Sequence, residues 1–275
     1  MKRLTLTLLI FFFTFNLMYS NNWMYSLDDA KKMAITTNRL VLVDFWASWC
    51  GPCKRMDSES WSKEEVQLLM DNYVSVKIDI DKYPDIAEKY DVRGIPYVFI
   101  LDGNGKVVYK NMSYKTKSQL MVLLKKYAIN TSFLSKDLVN YYKQESFSSA
   151  FRLGYKYQDL ALRLDKEIKS DFLNVSDDYF DESKKQLKES SLKNKDGFLQ
   201  KIDLYEIQSL LILDKTKRAL KELNKIEIND LDESNASLYN FLAYTIHKQL
   251  NDDEVAIWEE KMEESDKQKA LLFLD

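Results

Sequence analysis

The chain has 275 residues, of which 45% are hydrophobic and 30% charged, and its formal net charge at neutral pH is −3. This composition is that of a globular protein, and the length exceeds what one module of about 100 residues requires. Charges of both signs are interspersed, which excludes the basic stripe of a nucleic-acid-binding protein. With two cysteines and one histidine the chain has too few ligands for a closed zinc site, so we expect no metal.

The N-terminal segment has the pattern of an export signal. Two basic residues precede an apolar stretch from Leu4 to Met18, and this order is typical of a signal peptide. The stretch is shorter and more interrupted than the run of about 20 apolar residues that spans a membrane. Cleavage after Ser20 is one alternative; an uncleaved N-terminal membrane anchor is the other, because Met18 stands where a second small residue is preferred. The sequence predicts a signal peptide over residues 1–20 and a periplasmic location.

The next hundred residues alternate between helix and strand signals. The predicted elements are a helix capped by Ser26 and ending near Thr36, a strand over 40–46, a helix from Cys50 toward Asn72, a strand over 74–80, and hairpin strands over 97–101 and 106–110. The strand over 40–46 is apolar on both faces, as a central parallel strand is. These signals predict an α/β domain over residues 24–128, with a mixed sheet flanked by helices.

Both cysteines fall in one tetrapeptide, Cys50-Gly51-Pro52-Cys53, just after the first strand. Two thiols at this spacing on a strand-to-helix junction indicate a redox site. A helix that begins there places its positive dipole end beside the first thiol and stabilises the thiolate. We expect Cys50 to be the exposed nucleophile and Cys53 the deeper resolving thiol. Apart from a redox-active Cys50–Cys53 disulfide, no cofactor is expected.

The segment from Val43 to Lys54, VDFWASWCGPCK, resembles the active-site segment of the thioredoxins. Residues 76–81 are similar to the family's central strand, and residues 90–96 to its segment leading to a cis-proline. The resemblance covers about 100 residues and implies the thioredoxin fold and thiol–disulfide exchange. Ser58 and Ser113 stand where small cytosolic thioredoxins have a proline and a glycine, so the likeness is closer to exported thioredoxin-like modules.

The resemblance also implies a docking groove for a client polypeptide. Pro96 is expected to be cis, so that the backbone edge at Ile95 can pair with an extended client chain. The further substrate-binding residues are Trp49, Gly51, Pro52 and Tyr97. For Trp49 and Tyr97, a packing role is the alternative interpretation.

Asp44 is a carboxylate inside an otherwise apolar strand. Burial should raise its pKa, and perturbed buried acids cluster at sites of chemistry. In the functional interpretation, Asp44 is a catalytic residue that accepts the proton of Cys53. Its structural interpretation is an ion pair with Lys77, a supporting residue that the resemblance places nearby.

The Gly-Pro pair between the cysteines resembles that of strongly reducing thioredoxins, with potentials near about −270 mV, rather than that of oxidants near about −120 mV. We therefore expect a protein-disulfide reductase whose clients are proteins with disulfides or thiols. A reductant outside the cytoplasm has to be recharged, so the second expected partner is an electron-donating dithiol protein, by analogy a membrane-bound one.

The rest of the chain is predicted to be helical. All three prolines and four of the six glycines precede residue 110, and the later apolar residues recur at helical spacing. Turn-type residues at 174–177, 193–197 and 229–232 are expected to separate the helices. These signals predict an all-α array of helical hairpins over residues 135–275. Leu153, Gly154 and Tyr157 partly match a tetratricopeptide-type repeat.

The sequence leaves two alternatives for how these two parts share the function. In the first, the dithiol domain performs the exchange and the helical array alters the choice of client; a cut after Ile129 then leaves a folded, active module. In the second, the helical array is a scaffold or client-binding protein and the thioredoxin-like module is regulatory, because arrays of helix pairs present extended binding surfaces.

Overall fold

The computed structural model describes residues 23–274; the predicted signal segment lies outside them. The first part of the chain forms a five-stranded sheet of β1 (Trp23–Met24), β2 (Leu40–Trp46), β3 (Tyr73–Asp79), β4 (Tyr97–Leu101) and β5 (Val107–Met112). The strand order is β1-β3-β2-β4-β5. Strands β1, β3 and β2 are parallel, whereas β4 and β5 are antiparallel to their neighbours. This mixed sheet confirms the predicted fold.

Helices pack on both faces of the sheet because β2 is apolar on both. They are α1 (Leu27–Thr37), α2 (Gly51–Met56), α3 (Glu64–Met70), α4 (Pro84–Lys89) and α5 (Lys117–Lys126). One face, with Val41 and Val43, packs on α1; the other, with Leu42, packs on α2, α3 and α5. The Ser26 hydroxyl accepts a hydrogen bond from the Asp29 amide at 3.2 Å and caps α1, as predicted.

The predicted continuous helix from the cysteines toward Asn72 is wrong. A π-helical turn, Asp57–Trp61, separates α2 from α3. The Ser58 hydroxyl donates to backbone carbonyls of the preceding turn, a contact that competes with regular helical bonding. The wide turn also accompanies the burial of Trp61, whose ring packs against Trp23 with centroids 5.1 Å apart.

Strand β3 is buried along its whole length, although its sequence alternates. The reason is β1, a two-residue strand that the sequence analysis did not predict. It pairs with β3 at Ser75 and Val76 and turns β3 into an interior strand. The polar side chains of β3, including Lys77, are therefore held inside the protein.

The second part of the chain is all-α, as predicted. Its helices within the described residues are α6 (Ser135–Lys143), α7 (Phe147–Ala161), α8 (Lys166–Glu189), α9 (Lys195–Ile212), α10 (Thr216–Leu223), α11 (Ala236–Leu250), α12 (Val255–Glu259) and α13 (Glu264–Leu271). Across residues 23–274, no helix is both long and apolar enough to cross a membrane. A tetratricopeptide-type period stays a prediction.

The predicted turn at 174–177 is wrong, because these residues lie inside the 24-residue helix α8. The Ser176 hydroxyl donates to the Gly154 carbonyl of α7 at 2.7 Å, so a residue with turn chemistry serves here as a contact between helices. Gly154 also permits the close approach: a Cβ atom there would lie 2.4 Å from the Phe180 ring. The separators at 193–197 and 229–232 are confirmed by caps at Asn194 and Asp232.

The two parts of the chain share one hydrophobic cluster. It extends from sheet residues such as Leu42 and Val108 through Tyr127 to Leu138 and Tyr179 in the helical part. Helix α8 packs against β5, and the Tyr127 hydroxyl donates to the Asp171 carboxylate at 2.5 Å. The bounds of the two domains stay a prediction, but this packing argues against the expected independence of a module cut after Ile129.

A buried carboxylate at the β4–β5 turn ties the two parts together. Asp102 Oδ2 accepts hydrogen bonds from the hydroxyls of Tyr157 at 2.9 Å and Tyr179 at 2.6 Å. Its Oδ1 accepts from the amides of Asn104 and Lys106, each at 2.9 Å. Burial raises the pKa of Asp102, and the tyrosine hydroxyls act against that rise. Its four donors come from both parts of the chain and satisfy the carboxylate fully.

This junction lies at the end of the sheet opposite the cysteines. Leu101, which precedes the turn, pairs with Val41 near the start of β2, whereas Cys50 follows the end of β2. Contacts through Asp102 therefore hold the helical part without covering the dithiol.

Candidate active site at the Cys50–Cys53 disulfide

Cys50 and Cys53 form a disulfide with an S–S distance of 2.02 Å and a Cα–Cα distance of 5.3 Å. Cys50 is the N-cap residue of α2, and its sulfur accepts a hydrogen bond from the Cys53 amide at 3.1 Å. The first sulfur therefore lies at the positive end of a helical segment, as predicted.

The expected exposure of Cys50 is wrong for this disulfide form. Cys50 is 3% exposed and Cys53 2%. The pair packs with Ala47 and against Ile80 and Ile95, which shield both sulfurs.

The predicted docking residues differ in their exposure and in their contact with the disulfide. The Ile95–Pro96 peptide bond is cis, as the resemblance implied, and Ile95 packs against the cysteine pair. Gly51 and Pro52 are exposed at the start of α2. Trp49 is 64% exposed, and its indole N–H donates to Asp81 Oδ2 at 2.8 Å. An exposed, oriented aromatic ring is suited to contact a partner.

Tyr97 follows the cis-proline but favours the packing interpretation. The centroids of the Tyr97 and Phe99 rings are 4.4 Å apart, and Tyr97 is half-buried. The exposed apolar residue nearby is Met112, which pairs with Tyr97 across the sheet. The sequence analysis did not single out Met112, because only the strand register brings it to this end of the sheet.

Asp44 lies on β2 directly opposite Lys77 on β3. Its Oδ2 is 3.2 Å from Lys77 Nζ, so the predicted ion pair is present. Burial raises the pKa of Asp44 to about 6; Lys77 acts against that rise, and the negative charge of Asp57 adds to it. The carboxyl group is therefore able to take up and release a proton near neutral pH. A purely structural ion pair does not need this property, so the raised pKa favours the catalytic interpretation.

Comparison with known proteins finds a family match over the first part of the chain. The family model described as Thioredoxin matches residues 25–126. Thioredoxin of Bacillus subtilis (strain 168) is 38% identical over 99 residues, which cover 36% of this chain and 92% of that protein. Thioredoxin of Mycoplasmoides gallisepticum is 37% identical over 91 residues, 33% of this chain and 87% of that protein.

The chain belongs to the thioredoxin family. It is a thioredoxin-family oxidoreductase with a cysteine pair, Cys50 and Cys53, that forms a disulfide. Among solved structures, a thioredoxin from Thermus thermophilus is 20% identical, with a TM-score of 0.36 over 39% of this chain and 88% of that one. The C-terminal domain of Neisseria meningitidis DsbD is 21% identical, with a TM-score of 0.33. The match covers 37% of this chain and 93% of that one. The family model ends at residue 126, before the helical part of this family member.

One charged residue of this thioredoxin-family site was missed from the sequence. Asp57, in the π-helical turn, contacts Lys77 Nζ through its Oδ1 atom. Lys77 therefore lies between two carboxylates, one buried and one partly exposed. The sequence signal was weak because a continuous helix was expected after Cys53, and an acidic residue on such a helix is ordinarily a solvated one.

Replacing Asp44 by asparagine is expected to stabilise the oxidised protein above neutral pH. The folded pKa of Asp44, about 6, exceeds its ordinary value of 3.8, so folding opposes its ionisation by about 3 kcal/mol at most. This cost is absent below about pH 4, grows between pH 4 and 6, and is constant above. Urea unfolding of Asp44→Asn and of the unmodified chain, from pH 4 to 8, measures the difference.

The matched control for this experiment is Asp253→Asn, which removes a carboxylate from the exposed turn between α11 and α12. It should leave the difference near zero at every pH, because exposed charges contribute little. Equal stabilities of Asp44→Asn and the unmodified chain at pH 8 would show that Asp44 ionises without a burial cost.

Proposed function

We propose that this thioredoxin-family protein reduces disulfides of client proteins outside the cytoplasm, with Cys50 as nucleophile and Cys53 as resolving thiol. The observation that carries the proposal is the Cys50–Cys53 disulfide at the start of α2, packed against Ile95 beside the cis-proline. An extended client segment that pairs with the backbone at Ile95 would bring its own disulfide to these sulfurs.

The exchange takes two steps. The Cys50 thiolate attacks one client sulfur, a Cys50–client disulfide forms, and the other client sulfur leaves as a thiolate that takes a proton. Cys53 then gives its proton to the Asp44 carboxylate, attacks Cys50, and displaces the client's remaining sulfur. The client gains two electrons and two protons, and the protein ends with the Cys50–Cys53 disulfide. Trp49, Gly51 and Pro52 form the exposed surface that a client meets.

The reducing direction requires a source of electrons. In this proposal the oxidised protein is reduced by exchange with a second dithiol protein, by analogy a membrane-bound donor, through the reverse of the same two steps. The basic-then-apolar N-terminal segment supports a periplasmic location.

An insulin assay tests the activity, with the chain that lacks the predicted signal peptide but keeps both the redox part and the helical part. The reduction of insulin disulfides is followed as turbidity in the presence of dithiothreitol. The chain should raise the rate well above that of dithiothreitol alone. A rate equal to the dithiothreitol background would overturn the proposed function and favour a scaffold role for the helical array.

Equilibration of the Cys50–Cys53 pair with a thiol–disulfide redox buffer tests the direction separately. A potential near about −270 mV supports a reductant, whereas one near about −120 mV assigns the protein to the oxidants.

A further inference from the structure

A groove separate from the disulfide runs along helix α5. It has a volume of about 410 Å³, and its lining residues are Tyr109, Lys115, Ser118, Gln119, Val122, Leu123, Lys126 and Tyr127. We call it the α5 groove. Sites for small molecules have volumes of about 300–1,000 Å³ and are mostly apolar, with a few polar groups that orient the ligand. The α5 groove has this size and this composition.

The α5 groove is elongated because its lining residues on the helix recur at intervals of four and lie one above the other. From Ser118 to Lys126 this face of α5 extends about 12 Å. Val122, in the middle of the face, is 68% exposed. Tyr109 and Tyr127 add an aromatic side, and the centroids of their rings are 5.2 Å apart. A linear apolar chain fits this shape.

Lys115, near the start of α5, is a buried cation without an anionic partner. The residue is 8% exposed, and its Nζ donates to the neutral amide oxygen of Asn111 at 2.7 Å. Among residues 23–274, no carboxylate pairs with this ammonium, and burial alone lowers the pKa of Lys115. A buried charge without a counter-charge is costly. Since Asn111 accepts from one of the three N–H donors, two are open to a ligand.

The backbone of Lys115 is held in place independently of its side chain. The Lys115 carbonyl accepts a hydrogen bond from the Ser60 hydroxyl at 2.8 Å, and its amide donates to Met56 Sδ at 3.4 Å. Both partners belong to the segment that follows the cysteines, so the position of the ammonium is fixed before any ligand binds. A group fixed in advance loses little freedom on binding.

The other end of the α5 groove is already neutralised by helix α8. Lys126 Nζ lies 3.6 Å from Glu167 Oε2, and the Tyr127 hydroxyl donates to Asp171 Oδ2 at 2.5 Å. The two ends therefore differ: one has an unpaired ammonium, and the other has apolar and aromatic surface with its polar groups satisfied. A ligand with one anionic end and one apolar end matches this difference.

We infer that the α5 groove binds a linear aliphatic carboxylate, with its carboxylate on Lys115 Nζ and its alkyl chain along Val122 and Leu123 toward Tyr127. The carboxylate supplies the missing counter-charge, and the chain covers apolar surface that is otherwise exposed to water. A free acid fits better than a partner helix, because a helix is about 10–12 Å across with its side chains and exceeds this volume.

Calorimetric titration of the oxidised chain, without the predicted signal peptide, tests the inference with three probes. Octanoate should bind with one equivalent per chain. Octanol has the same number of carbons without the charge, and it should bind at least tenfold more weakly because it leaves Lys115 unpaired. Acetate has the charge without the chain and should show no saturable binding over the same concentration range.

Two substitutions locate the bound octanoate. Lys115→Met removes the ammonium but keeps an unbranched side chain, so octanoate should bind at least tenfold more weakly and octanol as before. The matched control is Lys125→Met, which removes an exposed lysine of α5 that lies outside the groove and should leave the affinity unchanged. Val122→Asp adds a carboxylate at an exposed position in the groove and should abolish octanoate binding through repulsion.

Three results would overturn the carboxylate site. The first is the absence of saturable octanoate binding, and the second is octanol binding as tight as that of octanoate. The third is an octanoate affinity that either Lys115→Met or Val122→Asp leaves unchanged. Because Val122 is exposed, its variant keeps the test decisive if Lys115→Met fails to fold. All of these measurements use the oxidised protein and do not depend on disulfide reduction.

Discussion

Replacement of Cys50 by serine is expected to reduce insulin reduction to the rate given by dithiothreitol alone. The alcohol of serine does not ionise in the range where a thiol at a helix start does, and it forms no mixed disulfide. Replacement of Cys53 by serine should act differently. The Cys50 thiolate still attacks the client, but nothing displaces the client's sulfur, so the reaction stops at the Cys50–client disulfide.

Mass spectrometry and non-reducing gel electrophoresis after mixing with one equivalent of a disulfide-bonded client distinguish the two variants. Cys53→Ser should accumulate a covalent adduct that Cys50→Ser lacks. The chain has no third cysteine, so the adduct reports Cys50 without interference. An adduct in Cys50→Ser and none in Cys53→Ser would exchange the roles of the two thiols.

The second large effect is expected at the junction between the two parts of the chain. Tyr157→Phe combined with Tyr179→Phe removes both hydroxyl donors from the buried Asp102 carboxylate. A hydrogen bond to a charged group contributes about 1.5–3 kcal/mol, so the double variant should lose about 3 kcal/mol or more. For a chain of this size the melting temperature should fall by roughly 10 °C.

The pH dependence of this loss has a definite sign. Burial raises the pKa of Asp102, and removing the hydroxyls raises it further. Below that pKa the carboxyl group is neutral and costs little, so the loss of stability should be larger at pH 8 than at pH 5. Thermal unfolding of the double variant at both pH values measures it. Tyr142→Phe, at an exposed position on α6, is the matched control; a double variant as stable as this control would mean that the Asp102 bonds are dispensable.

Truncation after Ile129 examines the same junction more drastically. It removes Tyr157 and Tyr179 and the helical side of the shared hydrophobic cluster. We now expect the remaining module to melt at a lower temperature and to bind hydrophobic dyes, because its contact face is left uncovered. Circular dichroism and dye fluorescence of the truncated chain check this. If it melts like the full chain, the two parts fold independently, as the sequence had suggested.

Much of the redox domain could be predicted from the sequence because its determinants are local. The N-cap residue Ser26, the doubly apolar strand β2 and the turn residues 102–105 each act through neighbours in the chain. The cysteine pair is likewise local, since two intervening residues fix which sulfurs meet. A raised pKa at Asp44 was also foreseeable, because a carboxylate in an apolar strand is buried wherever that strand lies in the sheet.

Only the tertiary structure decided three features. They are the interruption of the helix after Cys53, the contact of Asp57 with Lys77, and the hydrogen bonds that Asp102 accepts from the helical part. Each depends on partners far along the chain: Trp23 packs on Trp61, β3 presents Lys77, and α7 and α8 supply the tyrosines. Asp102 had the sequence signature of a turn residue, and nothing local distinguishes a turn carboxylate in water from one that two distant hydroxyls bind. Local propensity sets which elements form, whereas burial and long-range hydrogen bonding set which of their side chains become part of a core or a site.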